Sequence, residues 1–139
     1  MAVEIDIEYT GNLYCRATHG PSGQTFVTEA PVDNGGKGEA FSPTDLVATA
    51  IGSCFLTIMG LVARRRELKI EGARARVLKD MVADPKRRIG VLDMQIVVPD
   101  HGLSDEDKAE LEQAARVCPV KQSLAPNVEV RVQFSYDAR

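Results

Sequence analysis

The chain has 139 residues, of which 44% are hydrophobic and 27% are charged, a composition that excludes a disordered chain and suits one globular domain over residues 1–139. The formal net charge of −3 lacks the basic excess of a nucleic-acid-binding protein, so we expect no nucleic-acid partner. Aromatic residues make up only 5%, so the core must be mainly aliphatic.

Alternating side chains at the start of the chain predict a strand. Residues 3–9 alternate apolar with mostly acidic side chains, and this period of two is typical of a half-buried strand. Two more short strands are predicted at residues 12–18 and 24–28, because the turn-forming sequence at residues 19–23 separates them. The three strands are expected to form an antiparallel meander.

A long loop and a long helix follow. Residues 29–41 are rich in glycine, and a loop of this length inside a compact domain is usually functional or mobile. Ser42 and Asp45 have the spacing of a helix capping box, so a helix is predicted to begin there and to end at about residue 66. The basic run at residues 64–66 complements the helix dipole and is expected to be solvated.

This predicted helix is apolar nearly all round, from residue 46 to residue 63. Such a helix is either buried on all sides or spans a membrane. The polar residues Thr49, Ser53 and Thr57 and the capped start favour the buried helix, so we expect no membrane partner. Because one small domain has difficulty covering a helix without a polar face, a second subunit is expected to help cover it.

The remainder of the chain predicts a hairpin, two helices and a strand. Residues 70–81 and 88–98 form the hairpin, because turn residues separate two strand-like segments. Ser104 begins a helix with an acidic first turn, and a short helix follows at residues 120–124. The last strand covers residues 128–136. Since strands and helices are segregated along the chain, the fold class is α+β.

Three cysteines lie far apart in the sequence, at positions 15, 54 and 118. A widely spaced, odd set does not predict the disulfide framework of a secreted protein, and the first residues lack the features of a secretory signal. We therefore expect a reducing, cytoplasmic setting in which any disulfide is transient. Cys15, on a predicted strand, is expected to be a small buried side chain.

Cys54 and Cys118 are the candidate reactive residues. Cys118 precedes Pro119 at a predicted helix start, where the helix dipole is expected to lower the thiol pKa. Cys54 lies too far along its helix for that effect, and apolar surroundings raise a thiol pKa, so a nucleophilic Cys54 needs a nearby cation. Arg16, Lys37 and a group from a second subunit are the candidates, and the sequence does not choose among them.

No other pattern in the sequence competes with the two thiols. His19 and His101 lie in predicted turns and are expected at the surface, and no Cys-x-x-Cys pair is present, so we predict no metal site. The glycines of the long loop do not stand between a strand and a helix as a phosphate-binding loop requires. We therefore expect these glycines to give the loop flexibility.

Several segments resemble the OsmC/Ohr superfamily. Gly-Gly-Lys-Gly at residues 35–38, Phe-Ser-Pro-Thr-Asp-Leu at residues 41–46 and Ala-Ile-Gly-Ser-Cys at residues 50–54 are similar to its first cysteine motif. Ala-Arg-Val-Cys-Pro-Val at residues 115–120 is similar to its second, and Pro-Asn-Val-Glu-Val at residues 126–130 fits its closing segment. The order of predicted elements also matches, so the resemblance covers almost the whole chain.

The resemblance implies an assembly and a chemistry. It implies an intertwined homodimer with each long helix buried at the dimer centre, which agrees with the helix that is apolar all round. In the peroxidase members, the cysteine matching Cys54 attacks an organic hydroperoxide, and the resulting sulfenic acid condenses with the cysteine matching Cys118. A cellular dithiol then reduces the disulfide. No metal or bound cofactor is implied.

Thr44 departs from the pattern of the peroxidase members, which carry a glutamate at this position that helps to orient an arginine over the reactive thiol. Asp45 is adjacent, but neighbouring helix residues point about 100° apart, so Asp45 is a poor replacement. The departure makes the chain more similar to the broader OsmC-like branch of the superfamily.

Three hypotheses follow for the two thiols. The first is an enzyme that reduces organic hydroperoxides, with Cys54 attacking and Cys118 resolving; it is favoured because no other reactive group is present. The second is a protein that binds a small electrophile or senses redox state without turnover, which the residue at position 44 favours. The third is purely structural, with both thiols serving as core residues.

Overall fold

The computed structural model describes residues 1–138 and divides into two compact units. We call Met1–Val47 the N-terminal unit and the part that begins at Ala48 the C-terminal unit. The single domain expected over residues 1–139 stays a prediction. The α+β class is confirmed, with one three-stranded sheet in each unit. The elements are β1 (Ile5–Gly11), β2 (Tyr14–His19), β3 (Thr25–Glu29), a 3-10 turn (Val32–Asn34), α1 (Pro43–Arg66), β4 (Arg74–Val82), β5 (Arg88–Pro99), α2 (Asp105–Arg116), α3 (Pro119–Gln122) and β6 (Glu129–Asp137).

The N-terminal sheet is the predicted antiparallel meander, in the order β1-β2-β3. Ile7 pairs with Ala17, and Ala17 pairs with Phe26, so these apolar side chains share one face of the sheet. The prediction that the first strand is half-buried is wrong for the single chain, because Ile7 is 64% exposed and its neighbours on β1 are exposed as well. Alternation predicts an apolar face but does not say what covers it.

The capping box predicted at the start of α1 is confirmed. The Ser42 N–H donates to Asp45 Oδ2 at 2.9 Å, and the Asp45 N–H donates to Ser42 Oγ at 3.1 Å. Each side chain thus satisfies a main-chain donor that has no partner within the first turn of a helix. This reciprocal pair fixes the residue at which the loop ends and the helix begins.

Burial of α1 is one-sided in the single chain. Ile51, Phe55 and Met59, each one turn apart, are fully buried, whereas Leu61 is 54% exposed. The length of α1 and its mean hydropathy of 2.1 meet the requirements of a membrane span, but buried core helices of soluble proteins meet them too. Cover for the other face by a second subunit stays a prediction.

The C-terminal sheet has the order β4-β5-β6, with an antiparallel pair β4-β5 and a parallel pair β5-β6. The predicted hairpin is confirmed, but its first strand begins at Arg74 rather than at Ile70. The Ala73 N–H donates to Ile70 O at 2.9 Å, which closes a turn where the sequence pattern predicted extended chain. The parallel pair needs a crossover connection, and α2 and α3 supply it.

The two later helices are close to their predicted positions. α2 starts at the Ser104 cap, where the Asp107 N–H donates to Ser104 Oγ at 3.0 Å. Leu111 and Ala115 form its fully buried side. α3 starts at Pro119 with Cys118 as its N-cap, as predicted, but it ends at Gln122 rather than at Leu124.

Arg66 joins the end of α1 to α2, so the expectation that the whole basic run is merely solvated is wrong for this residue. Its guanidinium donates to Glu110 Oε2 at 2.6 Å and to Asp107 Oδ1 at 2.9 Å. A planar guanidinium holds two carboxylates in fixed directions. The ion pairs therefore help to set the position of α2, and with it that of the chain leading to Cys118.

Candidate functional site

Cys54 lies on α1, two residues after the point where this helix comes close to β4. A Cβ atom on Gly52 would lie only 3.1 Å from Val77 Cγ2 and 3.6 Å from Ala75 Cβ. Glycine thus permits a close approach that a larger residue would hinder. The Cys54 side chain is half-buried, so its sulfur lies in the body of the C-terminal unit and keeps partial access to solvent.

Cys118 lies at the junction of α2 and α3. Pro119 at the first position of α3 has no N–H to satisfy, and the Lys121 N–H donates to Cys118 Sγ at 3.2 Å. The Val120 N–H also acts on this sulfur and lowers its pKa. Cys118 is fully buried, so its thiol is held from two directions and has no direct contact with solvent.

The structure brings the two predicted site residues together. Cys54 and Cys118 are free thiols, and a side-chain hydrogen bond joins them. The contact connects α1 to the N-cap of α3 within the C-terminal unit, across a long stretch of sequence. It also pairs a thiol that solvent reaches with one that solvent does not reach, an asymmetry that the sequence did not predict.

Electrostatics at Cys118 differ from the sequence prediction. Burial raises the pKa of the Cys118 thiol, and the adjacent Cys54 raises it further, while the N–H groups of Lys121 and Val120 act in the opposite direction. The predicted lowering of this pKa is therefore wrong, because desolvation outweighs two amide donors at a helix of one turn. The raised pKa favours the protonated form of the Cys118 thiol, which can donate a hydrogen bond to the Cys54 sulfur.

The candidate cations for Cys54 lie in the N-terminal unit. Arg16 is exposed on β2 and pairs with Glu8 at 3.5 Å. Lys37 lies in the long loop, where its main-chain N–H donates to Glu29 Oε2 at 3.1 Å. The choice between these cations and a group from a second subunit stays a prediction.

Position 44, where the peroxidase members carry a glutamate, lies at the start of α1. Thr44 Oγ1 is 3.3 Å from Ser42 Oγ, and the hydroxyl carries no negative charge. The neighbouring Asp45 carboxylate accepts the Ser42 N–H. The Asp45 carboxylate is therefore engaged by the main chain at the helix start.

Sequence reasoning missed Glu29, whose side chain is charged and only 3% exposed. Its carboxylate accepts the N–H groups of Lys37 at 3.1 Å, of Ala40 at 2.6 Å, and of Glu39. Burial acts to raise the pKa of this carboxyl, but these donors and Tyr14 outweigh burial, so the pKa lies below its ordinary value. An acidic residue before a glycine-rich loop was the only signal, and it does not reveal which main-chain groups fold back onto it.

The remaining candidate residues are the two histidines and Cys15. His19 and His101 are both exposed, as predicted. His101 lies in a bend, but the turn predicted for His19 is wrong, because this residue ends β2 and pairs with Ile5. Cys15 is on β2 as predicted, opposite Tyr9 and Thr28, but it is half-buried rather than fully buried. Across residues 1–138, no three side chains of the metal-binding types are grouped for a metal ion.

The fold is α+β, with one candidate thiol on a long helix and the other beside it at a helix N-cap. These features define a class of small proteins with a paired-thiol site. The sequence profile of the OsmC-like protein family matches residues 36–133, a region that includes both cysteines. The chain therefore belongs to the OsmC-like protein family.

Solved structures agree with this assignment. A protein of Psychrobacter arcticus 273-4, described as a candidate osmotic-stress-induced and detoxification-response protein, is 42% identical, with a TM-score of 0.87 over 94% of this chain and 93% of that one. An organic hydroperoxide resistance protein of Legionella pneumophila is 20% identical, with a TM-score of 0.75 over 97% of each chain. An OsmC-like protein of Mycoplasma pneumoniae is 13% identical, with a TM-score of 0.80 over 98% of this chain and 97% of that one. A search of curated proteins found no match.

Proposed function

We propose that this protein reduces organic hydroperoxides with its two thiols, and that Cys54 attacks while Cys118 resolves. The observation that carries the proposal is the direct contact between the two thiols, of which Cys118 is fully buried and Cys54 is not. Only an accessible sulfur can meet a hydroperoxide first, so the greater exposure of Cys54 supports the attacking role proposed for it. The likeness to an organic hydroperoxide resistance protein supports the substrate class.

The first step transfers one oxygen atom. The Cys54 thiolate attacks the outer oxygen of the hydroperoxide, a sulfur–oxygen bond forms, and the oxygen–oxygen bond breaks. The alkoxide leaves with the electron pair of that bond and takes up a proton to become an alcohol. The sulfur is now a sulfenic acid and has lost two electrons.

The second step closes a disulfide. The Cys118 sulfur attacks the Cys54 sulfur, and the sulfenic oxygen leaves as water after taking up a proton. Cys118 supplies that proton from its thiol, which burial keeps protonated until the reaction occurs. A dithiol then reduces the disulfide by exchange and so supplies the two electrons that the hydroperoxide consumed.

The proposed assembly is a homodimer of single-domain subunits in the cytoplasm. The N-terminal sheet presents an uncovered apolar face that includes Ile7 and Phe26, and apolar surface of this kind marks an interaction site. Leu61 on the exposed side of α1 adds to the uncovered apolar surface. A reducing compartment suits a disulfide that forms and is reduced in each cycle.

Peroxide consumption in single-cysteine variants tests this function. Wild-type protein with a dithiol should consume cumene hydroperoxide, and Cys54→Ser should reduce the rate to the uncatalysed background, because a hydroxyl is not a nucleophile of comparable reactivity. Cys118→Ser should still form the sulfenic acid but should lose the intramolecular disulfide. Cys15→Ser is the matched control and should retain the wild-type rate. Wild-type protein that leaves the hydroperoxide untouched would contradict the proposal.

Thr44 supports a second candidate, a redox sensor or electrophile-binding protein with the same thiol pair. Position 44 has no carboxylate to orient an arginine over the reactive thiol, so Cys54 reacts more slowly with a hydroperoxide. A sensor does not need repeated turnover, because one oxidation event per molecule suffices for a signal. In this case Thr44→Glu should increase the peroxidase rate. A wild-type rate equal to that of Thr44→Glu would rule out this candidate.

A further inference from the structure

We infer that the reductant attacks the same atom as the hydroperoxide, Cys54 Sγ, and that Cys118 Sγ is the leaving group when the disulfide is reduced. This inference rests on the proposed function and deepens it, because it names which of the two sulfurs carries the mixed disulfide with the reductant. In a two-cysteine enzyme either sulfur is a chemically possible target, so burial must decide.

Access favours Cys54. Exchange requires the attacking thiolate to approach the disulfide sulfur directly, opposite the sulfur that leaves. Cys118 is fully buried, as are Leu111 and Ala115 on the preceding helix, so the approach to its sulfur is closed. Cys54 is half-buried, so the approach to it is more open than the approach to Cys118.

Two amides favour Cys118 as the leaving group. The Lys121 N–H donates to Cys118 Sγ at 3.2 Å, and the Val120 N–H acts on the same sulfur in the same sense, because both favour its thiolate. Negative charge develops on this sulfur as the disulfide breaks, and hydrogen bonds to a charged acceptor are stronger than those to a neutral one. The amides thus act on the charge as it forms, and the buried thiolate afterwards takes up a proton.

The step balances as follows. A reductant thiolate forms a sulfur–sulfur bond with Cys54 while the Cys54–Cys118 bond breaks, and Cys118 departs with the electron pair. The second thiolate of the dithiol then attacks the reductant sulfur of the mixed disulfide, and Cys54 departs as a thiolate. The dithiol becomes a disulfide, and two electrons have passed to the protein.

Mapping the adduct tests the inference. Cys15→Ser protein is oxidised with one equivalent of cumene hydroperoxide, and intact mass first establishes whether the Cys54–Cys118 disulfide has formed. Cysteamine is then added, the reaction is quenched with acid, and free thiols are alkylated before peptide mapping. We expect cysteamine on Cys54 and the alkyl group on Cys118, and cysteamine on Cys118 would overturn the inference.

Labelling rates give a second measurement that does not depend on trapping an adduct. In the Cys15→Ser background, Cys118→Ser leaves only Cys54 and Cys54→Ser leaves only Cys118. We expect the aromatic disulfide DTNB to label Cys54 at least about tenfold faster than Cys118, because a buried thiol reacts only after local opening. Equal rates would overturn the inference while the peroxidase proposal stands. Failure to form the disulfide at all would overturn both, and the mass measurement separates the two cases.

Discussion

The two units of this protein bury opposite kinds of groups. The N-terminal unit encloses one charged side chain, Glu29, and leaves the apolar face of its sheet, including Ile7, exposed. The C-terminal unit encloses apolar side chains on β5, α1 and α2, and the Cys118 thiol is buried with them, whereas Cys54 is half-buried. The fully buried apolar residues of β5 are Leu92, Met94, Ile96 and Val98.

This difference indicates which interactions stabilise each unit. Main-chain hydrogen bonds to one carboxylate hold the long loop of the N-terminal unit, which has little apolar burial of its own. Apolar burial holds the C-terminal unit and gives the thiol pair a fixed geometry inside a close-packed region. Loop and thiol pair should therefore respond to different perturbations, and the following changes are ordered from the largest expected effect to the smallest.

The largest effect is expected from the apolar core of the C-terminal unit. Leu111→Ala removes a fully buried side chain and should lower the free energy of unfolding by about 2–5 kcal/mol, measured by urea denaturation. The matched change on the exposed sheet, Ile7→Ala, should alter it by less than about 0.5 kcal/mol in dilute protein. An effect of Ile7→Ala that grows with protein concentration would assign its face to the subunit interface. Equal effects of the two changes in dilute protein would contradict the comparison.

A smaller and local effect is expected at Glu29. Because its pKa is lowered in the folded protein, its stabilising contribution is complete above the ordinary glutamate pKa of about 4.3 and is lost as the pH falls through the folded-state value. The amides of Lys37 and Ala40 should then lose protection from hydrogen exchange on acidification, and that of Lys121 should not.

The variant Glu29→Gln supplies the control for this prediction. It keeps one acceptor oxygen and removes the charge, so loop protection should already be reduced at neutral pH and should no longer depend on acidification. Protection that still falls at the same pH in Glu29→Gln would show that another group controls the loop.

The smallest effects are expected at the two capping boxes. Ser104→Ala removes the acceptor for the Asp107 N–H and should lower the free energy of unfolding by about 1 kcal/mol. Ser42→Ala removes the acceptor for the Asp45 N–H and should have the larger effect, because Ser42 is buried and water does not replace the lost partner. Urea denaturation of both variants measures the order, and a larger effect at Ser104 would contradict it.

Local sequence signals predicted the parts of the fold that depend on local chemistry. The capping box at Ser42 was predicted because a serine and an aspartate at the correct spacing satisfy each other's main-chain groups within one turn. At Ser104 the helix start and its acidic first turn were predicted, and the structure adds a second capping box with Asp107. The three-stranded meander was also predicted, because alternation and turn residues are local. The turn at Ile70 was missed because its residues also fit the alternating pattern of the strand that follows.

The sequence predicted which two residues form the candidate site, but it did not predict the burial of these residues or the effect of that burial on the thiol pKa. Cys54 and Cys118 were identified from their motifs, and the structure places their side chains in contact. The raised pKa of Cys118 was not predicted, because desolvation depends on what the rest of the chain packs around the sulfur. Glu29 was missed for the same reason, since its partners are main-chain groups with no side-chain signature.

Gly36, in the long loop, has no space for a side chain. A methyl group on Gly36 would lie 1.6 Å from the carbonyl oxygen of Ala30, and this obstacle is main chain rather than a side chain that can turn aside. The Gly36 N–H also donates to Pro31 O at 2.9 Å, which holds the two segments against each other. A fluorophore or affinity label intended to report on this loop should therefore be attached elsewhere, because even alanine at position 36 would force the two chain segments apart.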